Sequence, residues 1–412
     1  MNPHEPPAVP TAVPRSGVRK LCLLVASVAL GLAVFLALDW FRSALIRRVS
    51  PPVGRARNCG VRDPVRHHAF KPNCTALYPW GGSWYEFSTN SLGFRDEKVR
   101  DVPISDAHPR ILMLGDSFTE GKIRWRDSYV GRIAVALPQF DFLNGGVSSY
   151  SPSNYFNVAR TVLDAGFDID EVIVFIDISD VQDEATFYRD VDGSGAVTGP
   201  QRETYSVSWG AKIRMYIAER LPLTNHIVEG FERQLVAHGY YHLTTGPLGD
   251  AFDMERAAWT YRKVNEKAPY YDGYAPLGVE GGIAREKAKM TLLWQLLAKQ
   301  NVPLSVVVYP YPAQIVHDTA DSRQVRMWRE WCEGKCKRFI SLFPAFLAEK
   351  ANCPLSQPGC WYLKDFVFGD MHYNAVGNAL MADAVIQGLT AMPPAKRQPA
   401  SEPATATANR AH

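Results

Sequence analysis

The chain has 412 residues, 46% apolar and 21% charged, with a formal net charge of +3. This composition is that of a globular protein and excludes a low-complexity disordered chain. A charge so near balance makes no electrostatic case for nucleic acid, and no nucleic-acid partner is expected.

In chain order, residues 1–20 are expected to form a disordered cytoplasmic tail, Pro-rich over its first fourteen residues. Leu21 to Leu38 then run for eighteen positions without a charge. That is just long enough to span a bilayer, and 21–40 is read as a transmembrane anchor. A signal peptide is the rival, since Arg15, Arg19 and Lys20 precede the run. No small-residue cleavage site follows it, so a retained anchor is favoured. Arg42, Arg47, Arg48, Arg55 and Arg57 outnumber the leading charges, so charge asymmetry does not set the orientation.

Residues 41–109 read as a juxtamembrane lead-in, with a short strand at Trp84–Phe87. From residue 110 to 392 strands and helices alternate. Ile111–Leu114, Phe140–Leu143, Val172–Ile176 and Leu304–Tyr309 read as strands. Tyr129–Leu137, stopped by Pro138, and Asn154–Leu163, stopped near Gly166, read as helices. Leu292, Leu293, Leu296 and Leu297 mark the buried face of another. Val376, Ala379, Leu380 and Ala384 recur at helical spacing in a last one. This rhythm predicts an α/β chain, a three-layer α/β/α sandwich with a central parallel sheet. Successive strand ends then share one edge, where ligands bind in such folds.

An insertion at about 185–282 interrupts that rhythm and is expected to be a partly helical cap beside the cleft. Its aromatics, among them Trp209, Tyr240, Tyr241, Trp259, Tyr270, Tyr271 and Tyr274, could stack on sugars. They more often form the small core of an insertion. Residues 393–412, rich in Ala, Pro and Thr, are expected to be a disordered tail.

Cys22 lies within the apolar run. Cys59, Cys74, Cys332, Cys336, Cys353 and Cys360 form sequence-local pairs, which fits disulfides in an oxidising compartment. The favoured pairing joins neighbours: 59–74, 332–336 and 353–360. A zinc site made by the last four is the rival, with poor spacing and two cysteines left over. An external domain and a cytoplasmic N-terminus follow. The acidic run Asp177, Asp180, Asp183 and Glu184 could suggest a metal, but carboxylates after a strand more often cap the next helix. No metal and no cofactor are expected.

The chemistry rests on two loops. Leu114-Gly115-Asp116-Ser117-Phe118-Thr119-Glu120-Gly121 places a serine at the end of the first strand. Gly369-Asp370-Met371-His372-Tyr373-Asn374 precedes the last helix, with Asn374 as its cap. Ser117 becomes a nucleophile if His372 takes its proton and Asp370 orients the imidazole.

These loops, their order and the lead-in Thr89-Asn90-Ser91-Leu92-Gly93-Phe94-Arg95-Asp96 resemble the SGNH/GDSL hydrolase family in its membrane-anchored form. The resemblance covers Ile111 to Leu389 in block order and implies a flavodoxin-like hydrolase fold. It also implies an oxyanion hole from the Ser117 backbone, Gly146 of the Asn144-Gly145-Gly146 block, and a third-block donor. There the sequence departs: Ser179 of Asp177-Ile178-Ser179-Asp180 stands where the family has Asn. Losing one oxyanion donor costs roughly 100- to 1,000-fold in turnover. Asn144 and Asn154 are reserve donors. The Asp-His pair is also one residue tighter than the family's common spacing.

The expected function is a serine ester hydrolase. It would remove O-acyl groups from a cell-envelope glycan or lipid, anchored in a bacterial inner membrane with its catalytic domain in the periplasm or outside the cell. Two alternatives stand beside it. One is an O-acyltransferase that moves an acetyl group onto an envelope polysaccharide. The other is a degenerate domain that binds glycan without turnover.

Overall fold

The structure is a computed structural model, and it describes residues 15–49, 58–81, 83–190, 195–199, 209–241, 252, 254–262 and 273–392. Residues 1–14, the tail 393–412, and Tyr270 and Tyr271 of the insertion lie outside the described residues. The chain divides into two compact units: Met1–Arg55 with Ser208–Glu232, and Ala56–Val207 with Arg233–His412.

In the first unit, the helix Arg15–Val49 begins six residues before the expected anchor. Within it Gly17–Leu45, 29 residues containing an eighteen-residue stretch with a mean hydropathy of 2.8, is long and apolar enough to cross a membrane. Asp39 is buried near its end. Its carboxylate accepts the backbone N–H of Leu223 at 3.1 Å and both N–H and Oγ1 of Thr224 at 2.8 and 2.9 Å. It thereby satisfies orphan donors where the helix starting at Pro222 begins.

The second unit is built on an eight-stranded sheet. In chain order the strands of this unit are β1 (Gly60–Asp63), β2 (His67–Phe70), β3 (Thr75–Trp80), β4 (Ser83–Thr89), β5 (Arg95–Asp96), β6 (Arg110–Leu114), β7 (Asp141–Asn144), β8 (Glu171–Ile176), β9 (Arg189–Asp190), β10 (Val197–Thr198), β11 (Leu304–Val308) and β12 (Cys336–Ser341). The central sheet runs β12-β11-β8-β6-β7-β5-β4-β3. β1 with β2, and β9 with β10, form separate antiparallel pairs. The five strands β7, β6, β8, β11 and β12 are parallel. Their order, 2-1-3-4-5 by chain position, is the flavodoxin-like winding, and its switch point lies between β6 and β8. β6, β8 and β11 are buried at every position, which is why they read as unbroken apolar runs.

Helices Pro152–Asp164, Ile178–Thr186 and Gly278–Lys299 pack together as one flanking layer. Tyr129–Ala136 packs with Ala375–Ala391 in another. The sequence misplaced one residue on each of two helix faces. Leu293 and Leu297 are buried as expected, but Leu292 is 44% exposed and Met290 is buried with them. Val376 is 48% exposed, while Gly377, Asn378, Met381 and Val385 face inward. In both cases polar or small residues occupy part of the inward stripe, so the largest side chains do not trace it.

The lead-in is part of this sheet. β3, β4 and β5 extend it with antiparallel strands, and Arg95 pairs with Asn144 of β7. The cysteines pair as Cys59–Cys74, Cys332–Cys336 and Cys353–Cys360, and Cys22 is free. Thiolates tied up this way leave no four-cysteine zinc site.

Candidate active site

β6 ends at Leu114, and the chain turns at once into the short helix Ser117–Glu120. Gly115 is needed there for space. A Cβ on it would lie 1.9 Å from Thr119 Oγ1. The Asp116 carboxylate caps the helix by accepting the Phe118 N–H at 2.9 Å. Ser117 occupies the first helical position, where a backbone N–H has no intrahelical acceptor.

The late loop reaches the same place. His372 Nε2 lies 2.7 Å from Ser117 Oγ. Its Nδ1 lies 2.5 Å from Asp370 Oδ1, and its backbone N–H donates to that oxygen at 2.9 Å. A ring nitrogen facing a carboxylate carries the proton, so Nε2 is the acceptor for the Ser117 hydroxyl. Burial pushes the Asp370 carboxyl up, but the adjacent His372 charge and hydrogen bonds outweigh it and hold the group below the usual range. Phe118 stacks on the imidazole with centroids 4.5 Å apart, and Trp80 meets it edge-on at 5.2 Å. The ring is therefore fixed by packing as well as by hydrogen bonds.

Behind the serine lies a buried acidic network. Ser117 Oγ is 3.1 Å from Asp116 Oδ2. The Tyr309 hydroxyl lies 3.1 Å from Asp116 Oδ1 and 2.7 Å from Asp177 Oδ2. One phenolic proton cannot serve two carboxylates, so the pair retains a proton. Burial, then the neighbouring Asp177 charge, pushes Asp116 up to about 8. Burial also raises Asp177, against opposing hydrogen bonds from Ser179 and Tyr309.

Of the expected oxyanion donors, Ser117 and Ser179 line one cleft and Gly146 does not. The Gly146 N–H donates to Asn144 Oδ1 at 3.0 Å. A Cβ on Gly146 would meet Thr119 at 2.6 Å, so this glycine lets the β7 loop close on the nucleophile helix. It is not among the residues that line the cleft. Ser179 does line the cleft, but its hydroxyl donates to Asp177 Oδ1 at 2.7 Å and its N–H to the same atom at 2.6 Å. Asp177 caps the helix Ile178–Thr186 in a reciprocal box with Asp180, the structural role expected of that acidic run. Asn144 Nδ2 donates to the Thr119 carbonyl and Asn154 Nδ2 to that of Arg66, and neither reserve residue lines the cleft.

Ser149 is the residue that sequence reasoning missed. It lines the cleft and holds a left-handed backbone with φ of 61°. Glu120 braces the loop before it by accepting the N–H and Oγ of Ser148 at 2.7 and 2.5 Å. Tyr188 donates to the Ser149 carbonyl. Non-glycine strain of this kind costs free energy and persists where the surroundings over-determine it, often at functional sites.

The cleft has a volume of about 220 Å³ and is also lined by Lys122, Asp183, Arg256, Tyr311 and Met371. Arg256 comes from the helix Met254–Tyr261 of the insertion, and no motif signals it. Burial raises Asp183 well above the usual range, although Arg256 opposes the shift. A larger cavity of about 500 Å³, lined by Trp259, His317, Asp318 and Arg323 among others, contains neither Ser117 nor His372.

The lead-in motif acts on the site through Arg95. Its buried guanidinium donates to the backbone carbonyls of Glu120 and Ile123, directly after the nucleophile helix. Tyr85, Phe87 and Trp125 surround it, and burial lowers it to about 10.

No protein-family model and no curated protein matches the chain. Among solved structures it is similar to a lipolytic G-D-S-L family protein from Veillonella parvula, at 12% identity over 68% of this chain and 98% of that one, TM-score 0.34. It is similar to a catalytic mutant of Axe2, an acetylxylan esterase from Geobacillus stearothermophilus, at 12% identity over 70% and 96%, TM-score 0.35. It is also similar to an extracellular lipase from Streptomyces rimosus, at 12% identity over 69% and 99%, TM-score 0.31. These likenesses are too distant to bear on the chemistry, which rests on the geometry above.

Proposed function

We propose that this chain is a serine ester hydrolase that removes O-acyl groups from a cell-envelope substrate through an acyl-enzyme on Ser117. The observation that carries the reading is the continuous relay from Asp370 Oδ1 to His372 Nδ1 at 2.5 Å and from His372 Nε2 to Ser117 Oγ at 2.7 Å. His372 takes the hydroxyl proton as Ser117 Oγ attacks the ester carbonyl, then delivers it to the departing alkoxide. Water repeats the sequence in reverse and frees the acid. Asp370 keeps the imidazole in the required tautomer and balances the imidazolium charge.

The oxyanion needs donors already in place. The Ser117 N–H, at the helix start, is the first. The Ser149 N–H is the second, in the role the sequence resemblance assigned to Gly146. Ser179 holds Asp177 and through it the floor of the cleft. Lys122 and Arg256 add positive charge at its walls.

The apolar helix and the three disulfides support an anchored enzyme whose catalytic unit lies outside the cytoplasm. We assign the anchor to a bacterial inner membrane and that unit to the periplasm as part of the same proposal. Hydrolysis of a short aryl acetate tests the reading, with Ser117→Ala as control. Mass spectrometry of the quenched reaction should find one acyl group on Ser117. Turnover that survives Ser117→Ala would overturn it. Adding a sugar acceptor and analysing products separates hydrolysis from acyl transfer, since one acyl-enzyme serves both.

A further inference from the structure

A second, larger cavity opens beside the catalytic cleft. It has a volume of about 530 Å³, within the range of small-molecule sites. The lead-in strands supply most of its wall, and Glu120, Lys122, Val147 and Ser148 supply the rest. Lys122 and Ser148 also line the catalytic cleft, so the two spaces are neighbours that share a wall.

The lining is of two kinds. Phe70, Tyr78, Trp80 and Tyr85 present aromatic surface. Among and around them stand Asn58, Arg62, His68, Glu120 and Lys122, which offer both donors and acceptors. These groups are held in place. The Tyr78 hydroxyl donates to Asn58 Oδ1 at 3.0 Å and accepts the Cys59 N–H at 2.9 Å. His68 Nε2 lies 2.8 Å from the Ser148 carbonyl. Lys122 Nζ sits 4.1 Å from the centre of the Trp80 ring. Trp80 in turn touches His372.

A fatty chain would want a uniformly apolar wall. A peptide would want an unpaired strand edge, and β3 is the edge of the main sheet, yet the cavity is lined by side chains from both sheets. Rigid aromatic faces interleaved with fixed polar groups suit a ligand that is apolar on its ring faces and hydroxylated around its rim. That ligand is a sugar.

We infer that the groove between Tyr78, Trp80, Arg62 and Lys122 is a glycan subsite that seats the sugar whose acyl ester meets Ser117. The inference rests on the ester reading of Ser117 and names the substrate class for it. The lead-in is then a recognition element, and the ester oxygen of a sugar on Trp80 lies one ring away from His372.

The test uses the full chain in detergent, carrying Ser117→Ala so that no turnover occurs. It is titrated by calorimetry with O-acetylated xylo-, chito- and manno-oligosaccharides. At least one should bind, and adding Trp80→Ala should weaken it by about tenfold, the loss expected of a central aromatic anchor. Arg62→Ala, at an exposed position, should weaken it by about threefold, and thermal melts check that both variants are folded. No binding to any of the three sugars at about 10 mM, or affinities within twofold of the parent in both folded variants, overturns the subsite. Tighter binding of a long-chain acyl ester than of any sugar also overturns it, in favour of lipid. Aryl acetate hydrolysis by the chain with Ser117 intact is measured separately. If that fails while the sugar titration succeeds, the ester reading is wrong and the groove stands.

Discussion

The parallel and antiparallel halves of the central sheet do different work within one hydrogen-bonded surface. β6 and β8 of the parallel half lead directly into Ser117 and into the Asp177–Ser179 turn, and β11 leads into Tyr309. The antiparallel half, β3 to β5, brings no nucleophile or base. It supplies Arg95 beneath the nucleophile helix and the aromatic wall beside it. The difference follows from geometry. Parallel strands all end on one edge and gather chemistry there. Antiparallel hairpins return on themselves and build walls and braces.

The comparison breaks most sharply at the triad. Ser117→Ala and His372→Ala should each lower kcat for a short ester roughly 10,000-fold, because the members act as a unit. Stopped assays at matched folded concentration measure it. Retention of more than about a tenth of the activity in either would remove the chemistry from the parallel half.

The antiparallel half faces its own test at Arg95. Arg95→Ala leaves two carbonyls without their donor and a void among Tyr85, Phe87 and Trp125. Unfolding free energy should fall by about 3 kcal/mol in denaturant melts. Turnover per folded molecule should fall about tenfold as the nucleophile turn loosens. A stability loss with full turnover would reduce that half to a structural role.

A smaller effect concerns pH. An unfolded aspartate ionises near 4, while folded Asp116 keeps its proton up to about 8. The folded state therefore holds an extra proton across that window. This share of stability is complete below pH 4, falls as pH rises from 4 to 8, and is flat above. Asp116→Asn should make the fall of unfolding free energy between pH 5 and 8 shallower. An identical slope would mean that Asp116 is ionised in the native protein.

The smallest change is expected at Ser179. Its hydroxyl already serves Asp177, so Ser179→Ala should alter kcat by no more than about threefold. A loss of about 100-fold would restore it as an oxyanion donor.

Several features were legible from residues alone because they are local. The turn at Gly115–Ser117, the Asn374 cap and the capping carboxylates of the Asp177 turn each depend on a few neighbours in sequence. Strands buried on both faces announce themselves as apolar runs. Neighbouring cysteines had little choice of partner once the compartment was inferred. Leu292 and Val376 were misplaced because helical periodicity tolerates small and polar residues on the inner stripe.

Ser149 could not be read in advance. Its left-handed backbone is imposed by Glu120 and Tyr188, which lie far away in the chain, and no residue preference announces it. The same holds for Arg256, carried in from an insertion, and for Gly146, whose amide is taken by Asn144. The sequence by itself determined the order of strands and helices, the apolar span, and the two loops whose Ser117, His372 and Asp370 meet in the fold. Only the tertiary structure decided which residues meet in the cleft, which charges face it, and that the lead-in walls the cavity beside it. The reason is range. Local propensity and periodicity act over a few residues, whereas hydrogen-bond competition and burial are set by groups that meet only once the chain has folded.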